Sequence, residues 1–305
     1  MQKGMRYTLV KEIGSGTFGR VYQADVHCET KLAPQTVAVK RVAWTATDGV
    51  PRTTMREVTY LQRVSHPNIV RLLRVYRHSD AIDLLLELWN DNLHLFVVRM
   101  RELSKRDELC WCTYADMATR MMAQLASALA HCHAQGVMHR DVKPCNILLT
   151  PTQDVKLADF GAATSTSTSH VQHVGETTTL WYRAPEQLLG ETQDTPAVDG
   201  WSLAMVIYEM MYLGPLLPGM NEKHQLALCF EFAGPPTPES WQRGFELLIA
   251  HGPVDRIPPT RRARPNVYFE ALAEAGESLT IPNPERRMTC AQAAHILGEL
   301  AAINE

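Results

Sequence analysis

The stretch "IGSGTFGRVY", residues 13–22, decides how the rest of the chain is read. Its Gly14, Gly16 and Gly19 satisfy G-x-G-x-x-G, a pattern shared by two phosphate-binding architectures and by glycine-rich hairpins that bind nothing. In a dinucleotide-binding unit the turn must run straight into a helix, so that the helix N-terminus meets the pyrophosphate. Here the flanks "YTLVKEI" (7–13) and "RVYQADV" (20–26) alternate apolar and polar residues and are rich in Val, Tyr and Ile. Both read as strands. The glycines therefore sit in the turn of a hairpin, where backbone N–H groups can lie over the phosphates of a nucleotide. The dinucleotide reading fails.

The next strand is "QTVAVKRV", residues 35–42. Val37, Val39 and Val42 are packing residues, and Lys40 is a cation inside a β-branched run. A lysine there commonly snorkels to solvent. The functional alternative points it into a cleft beneath the glycine turn to pair with phosphate, which requires an acid to hold the ammonium. "RTTMREVTYLQRV", residues 52–64, has Met55, Val58, Leu61 and Val64 at helical spacing and offers Glu57. Alone, Glu57 is a surface carboxylate. With Lys40 upstream it becomes a candidate ion-pair partner.

"HRDVKPCNILL" (139–149) packs His139, Arg140, Asp141, Lys143 and Asn146 into one segment, and "VKLADFG" (155–161) adds Asp159, Phe160 and Gly161. With these the chain resembles the eukaryotic protein kinases: glycine-rich loop, V-A-x-K, H-R-D-x-K-x-x-N and D-F-G stand in family order. The resemblance runs from Tyr7 to about Leu300. It implies Mg-ATP as cosubstrate, because phosphoryl transfer calls for positioning and for neutralising the β and γ phosphates. By this resemblance Lys40 holds the α and β phosphates and Glu57 orients Lys40. Asp159 and Asn146 bind Mg²⁺, and Asp141 takes or orients the proton of the attacking hydroxyl. Lys143 approaches the γ-phosphate, as in Ser/Thr kinases. Gly14, Ser15, Gly16, Thr17, Phe18 and Gly19 cover the nucleotide.

The same resemblance implies an α+β, bilobal fold over one kinase domain, 1–305. A small β-rich N-lobe (about 1–88) carries one regulatory helix, and a larger, mainly helical C-lobe spans about 89–305. "LLLELWNDN" (84–92) reads as a strand entering the hinge, where backbone groups of Glu87 and Trp89 bind adenine and Leu86 is the gatekeeper. Ile13, Val21, Ala38 and Leu148 sandwich the ring. Leu61, Leu72, His139 and Phe160 look like an apolar spine joining the lobes, although each is equally a core residue. Asp199 resembles the aspartate that anchors the catalytic loop, and Glu186 of "APE" is expected to pair with Arg287.

Within the kinases, "GVPRTTMREVTYLQRVSHPNIVRLL" (49–73) and "TLWYRAPEQLLG" (179–190) resemble the cyclin-dependent kinases of the CMGC group. Arg183 is the mark of that group and implies a preference for proline after the phosphoacceptor. Met55 stands where the family's helix faces its cyclin. The departures lie in the activation segment. The position of the activating threonine is Val174, and the family's arginine after D-F-G is Thr164. Of three phosphate-holding arginines only Arg56 and Arg140 remain, and Glu176 is the nearest permanent anion. "TSTSTS" (164–169) reads as a hydroxyl-rich loop. Phe18 replaces the tyrosine of the glycine loop, so inhibitory phosphorylation there is impossible. Gly219 to Thr280 matches only loosely.

Composition sets the remaining bounds. The chain has 305 residues, 45% hydrophobic and 21% charged, with net charge -3, which offers no footprint for nucleic acid or a membrane surface. Short basic runs such as Arg261, Arg262 and Arg264 read as solvated loop. The seven cysteines include one C-x-C (Cys110, Cys112) without a zinc-spaced partner, and reduced thiols in the cytoplasm or nucleus are expected. "MQKGMRYTLV" has no apolar h-region. The apolar run Leu203–Leu217 is broken by Glu209, Gly214 and Pro215 and falls short of a membrane span. Three functions stay in view: a cyclin-dependent Ser/Thr-Pro kinase, a CMGC kinase that needs no cyclin, and an ATP-binding pseudokinase scaffold.

Overall fold

The computed structural model describes residues 6–16, 19–27, 36–45, 47, 49–89, 91–167, 180–254 and 266–303. Strands β1 (Arg6–Gly16), β2 (Gly19–His27), β3 (Thr36–Ala43), β4 (Leu72–Arg77) and β5 (Ala81–Glu87) form an antiparallel sheet in the order β1-β2-β3-β5-β4. The glycine motif is the β1–β2 connection, as the flanking alternation requires. Gly19 has φ 150, and a side chain there would run into the carbonyl oxygen of Arg41 on β3, so only glycine fits.

Period-2 alternation along β3 sets the cleft. Val37 and Val39 are fully buried on one face with Ala24 and Leu85. Lys40 and Ala38 lie on the other face, Lys40 opposite Val21 of β2 and Leu84 of β5, Ala38 opposite Leu86. Helix α1 (Arg52–Arg63) crosses behind this face. Its spacing alone predicts an apolar stripe through Met55; Thr54, Glu57 and Leu61 are buried, and Met55 is 51% exposed, on the outer side that the kinase resemblance implies. The reason is electrostatic: Glu57 is drawn inward by Lys40, which rotates Met55 outward.

β5 ends at Glu87 and the chain continues without regular structure through Leu88 and Trp89, the hinge into which the strand was expected to run, before β6 (Asp91–Asn92) and α2 (Leu93–Lys105). The rest is mainly helical. Helix α3 (Trp111–Ala134) and the short strands β7 (Val137–Met138), β8 (Ile147–Leu149), β9 (Val155–Leu157) and β10 (Thr164–Ser165) carry the loops of the cleft. Below them lie α4 (Pro185–Leu188), α5 (Ala197–Tyr212), α6 (Glu222–Ala233), α7 (Pro238–His251), α8 (Glu270–Leu279) and α9 (Cys290–Ile303). Helix α5 is buried on nearly every side and packs against α3 and α8. A helix apolar all round belongs at the centre of a core. Among the described residues no helix is long and apolar enough to cross a membrane.

Candidate active site

Lys40 Nζ stands 2.8 Å from Glu57 Oε2 and 3.2 Å from Asp159 Oδ1. Three elements meet in this contact: β3, α1 and the loop after β9. Burial works to lower the Lys40 pKa, but the two carboxylates outweigh it and raise the value. Burial pushes Glu57 up, with the nearby ammonium opposing it. Asp159, whose side chain is 35% exposed, is pushed up by the burial it has, yet Lys40 holds it below the ordinary carboxylate value. With Lys40 firmly protonated, the cluster is a charged one at neutral pH. Asp159 takes a left-handed backbone, φ 62, which Asp tolerates better than bulkier residues. Its carboxylate accepts from Gly161 N at 3.3 Å and caps the turn Phe160–Ala162.

The loop 139–146 is pinned from below. Buried Asp199 accepts from His139 N at 2.9 Å and Arg140 N at 2.7 Å, and its Oδ2 is 2.8 Å from His133 Nε2. These bonds hold Arg140 at φ 68 and turn Asp141 towards the cleft. There Asp141 Oδ2 is 2.8 Å from Lys143 Nζ and accepts from Asn146 Nδ2 at 2.9 Å. The same Nδ2 reaches the Asp141 carbonyl at 2.8 Å. An acid, a cation and an amide are thus held in one hydrogen-bonded group.

Lys40, Glu57, Asp141, Lys143, Asn146 and Asp159 all line one cleft of about 590 Å³, a size suited to a nucleotide-scale ligand. Ile13, Gly14, Gly19, Val21 and Ala38 line it from the sheet side, Leu148 from the other, and Leu86, Glu87 and Trp89 along the hinge. Ser15 and Gly16 are placed by their backbone at the hairpin tip, opposite Arg20 and Gly19. Thr17 and Phe18, like Val174 and Glu176, lie outside the described residues.

A profile of the protein kinase domain matches residues 7–296. The chain is a protein kinase. It is 31% identical over 297 residues to the serine/threonine-protein kinase KIN28 of Saccharomyces cerevisiae, covering 96% of this chain and 92% of that protein. It is 35% identical over 293 residues to the cell division control protein 2 homolog 2 of Trypanosoma brucei brucei (94% and 81% of the two chains). Against the CTD kinase subunit alpha of Schizosaccharomyces pombe the identity is 36% over 246 residues, 77% of this chain and 38% of the other. With these relatives it is a Ser/Thr protein kinase similar to the cyclin-dependent kinases, with the bilobal kinase fold.

The rest of the kinase supports its cleft. His139 and Phe160, both fully buried, meet edge to face with ring centroids 4.7 Å apart, and Leu61 of α1 belongs to the same core. Leu72 packs against it. Glu186 and Arg287 form a buried two-bond ion pair at 2.7 and 3.0 Å. Arg183 Nη1 is 3.0 Å from Glu222 Oε1 at the start of α6.

Three further residues take a place in or near the site only through the fold. Cys145 lines the cleft between Lys143 and Asn146, with burial pushing its thiol up. Buried Glu209 accepts from the Tyr182 hydroxyl at 2.6 Å. Asp194 sits 2.7 Å from Arg140 Nε, where the sequence reading expected a phosphate-holding arginine. Asp194 and Glu209 belong to no motif, and Cys145 fills a variable position of H-R-D-x-K-x-x-N, so only the fold could reveal them.

Proposed function

We propose that this kinase transfers the γ-phosphate of Mg-ATP to Ser or Thr followed by Pro, and that a cyclin-type partner docked on α1 around Met55 raises its activity. The observation that carries the catalytic assignment is Lys40 held between Glu57 and Asp159, opposite the Asp141–Lys143–Asn146 group. In this reading Lys40, fixed by Glu57, pairs with the α and β phosphates. The glycine turn lies over the nucleotide, and Val21, Ala38 and Leu148 clasp the base. Glu87 N already donates to Arg71 O at 3.2 Å, so Glu87 offers the base its carbonyl and Trp89 offers backbone groups.

The residues fit Mg²⁺. Asp159 and Asn146 supply hard oxygens, the donor type that Mg²⁺ takes from one or two protein ligands, with the rest from phosphate oxygens and water. When bound, Mg²⁺ neutralises charge on the β and γ phosphates. Asn146 commits Nδ2 to Asp141, which leaves Oδ1 as the atom that would hold the metal. Asp141 accepts the proton of the attacking hydroxyl, and Lys143 faces the transferring phosphate. The whole of 1–305 acts as one kinase domain, expected in the cytoplasm, the nucleus or both.

The proline preference rests on Arg183 within "TLWYRAPE". A positional peptide library is expected to show Pro favoured over Ala after the acceptor by about tenfold or more, the scale of a single specificity pocket. Equal rates would remove this part of the proposal.

Partner activation rests on Met55, which projects from α1 while Glu57 of the same helix faces the cleft. Met is apolar and adaptable, fit for a partner's groove. Met55→Asp is expected to remove cyclin-stimulated transfer with the ATP KM unchanged; full stimulation of this variant would overturn the assignment. One observation favours a second reading, a kinase of the same group that needs no cyclin: Lys40 and Glu57 are already 2.8 Å apart in the single chain. Assaying wild type on a Ser-Pro peptide with and without cyclins decides between them.

A further inference from the structure

In the resembling kinases a phosphorylated threonine orders the activation segment by pairing with arginines, one of them in the position of Arg140. Here that position is Val174, which carries no hydroxyl. Arg140 is nevertheless matched with an anion. Its Nε lies 2.7 Å from Asp194 Oδ2, and the two side chains are 2% and 1% exposed. Its Nη1 donates to Ala162 O, beyond Asp159–Gly161, at 3.2 Å.

The carboxylate also reaches the opposite way. Asp194 Oδ1 accepts from Gln187 Nε2 at 3.1 Å, and Gln187 Oε1 accepts from Ala184 N at 3.3 Å. Ala184 directly follows Arg183. A polar path therefore runs from the catalytic loop through a fixed carboxylate to the segment assigned above to the residue after the phosphoacceptor. Asp194 lies in "ETQDTPAVD" (191–199), outside the activation segment, so no modification is needed to install this charge.

We propose that Asp194 is a built-in anion for Arg140 and a positioning residue for the peptide substrate, doing permanently what an activation-segment phosphate does by modification. The physical argument is the demand of the arginine. A guanidinium buried this deeply needs a counter-charge, and a phosphate acts on such sites by supplying charge-assisted pairs with arginine. Asp194 supplies one such pair and passes the constraint through Gln187 to the backbone at Ala184. The inference rests on the reading that 181–186 receives the substrate; it does not depend on a cyclin or on proline.

Asp194→Asn keeps the shape and removes the charge. Its peptide KM is expected to rise about tenfold or more, the scale of coupling between linked sites, with the ATP KM within about twofold of wild type. Asp194→Asn combined with Val174→Thr, phosphorylated by an activating kinase, should recover most of the lost kcat/KM, whereas a purely structural role would not respond to a distant phosphate. Wild-type peptide kinetics in Asp194→Asn would overturn the proposal. So would parallel loss of ATP and peptide affinity without rescue. If Asp194→Asn does not fold, Gln187→Leu decides: it cuts the path while leaving the ion pair, and an unchanged peptide KM would refute the relay. Amide exchange across 180–190 reads the same claim without catalysis. Faster exchange in Asp194→Asn supports it and equal exchange overturns it, even if no peptide of the proposed class is phosphorylated.

Discussion

Asp159→Asn is expected to abolish transfer, lowering kcat/KM by at least roughly 10³-fold, the scale on which preorganised charge at a reacting centre acts. The substitution is nearly isosteric, so its effect is one of charge. Burial works to raise the Asp159 pKa, and Lys40 at 3.2 Å more than reverses it. The carboxylate is therefore ionised throughout the neutral range. An amide in its place presents one neutral oxygen to a divalent cation, which is a poor ligand for Mg²⁺. The sign of the pH effect follows. A carboxyl depressed in the folded state contributes stability above its unfolded pKa, and that stability is lost as pH falls through the folded value. Asp159→Asn should flatten that acid-side loss while the wild type retains it. Lys40 keeps Glu57 at 2.8 Å, so the variant should fold and leave α1 in place. Transfer is measured as labelled phosphate on peptide, and nucleotide affinity by fluorescence with and without Mg²⁺. Transfer within tenfold of wild type would show that Asp159 does not hold the metal.

Much of this site was legible in the sequence because its chemistry is local. The flanks of the glycine turn are alternating strands, and the alternation persists in β3, where it puts Lys40 on the cleft face. His139 to Asn146 lie within eight residues of one loop, where type and order carry the resemblance to protein kinases. The Glu186–Arg287 pair was expected across a separation of 101 residues, and it forms. The helical period of 52–64 is satisfied by either face. The kinase resemblance puts Met55 on the outer side, and the pairing of Glu57 with Lys40 fits that face. What could not be read was the long-range pairing of acids that stand outside the motifs. Asp194 looks like one more acid in a polar turn, since nothing near it says that a buried arginine 54 positions earlier needs it (194 − 140). Glu209, inside a helix buried nearly all round, has meaning only once Tyr182 is seen to donate to it.

Arg287→Leu should be the most destabilising single substitution among the ion pairs of the C-terminal part, costing about 3–5 kcal/mol because it strands a buried carboxylate. The geometry explains the size. All five N–H groups of Arg287 have acceptors. Nη1 serves Glu186 Oε1 at 2.7 Å and Ala197 O at 2.9 Å; Nη2 serves Glu186 Oε2 and Pro282 O, each at 3.0 Å; Nε serves Ile281 O at 2.9 Å. The guanidinium also lies 5.3 Å from the Trp201 ring centroid. It thereby ties α4 to the start of α5 and to the loop before α9, and those elements hold the segment 181–186. Arg287→Lys should recover little, because an ammonium has three donors and no planar fork. For a chain of this size the loss corresponds to a fall in Tm of roughly 5–8 °C, read by scanning fluorimetry and checked by urea titration. The exposed Lys105–Glu102 pair is the contrast: its side chains are 63% and 52% exposed, and Lys105→Ala should shift Tm too little to measure. Glu186→Leu combined with Arg287→Leu should be less destabilised than the sum of the two single variants, since removing both charges leaves neither stranded. An Arg287→Leu protein that melts with the wild type would mean that water reaches Glu186 and that the pair is not the clamp its burial implies.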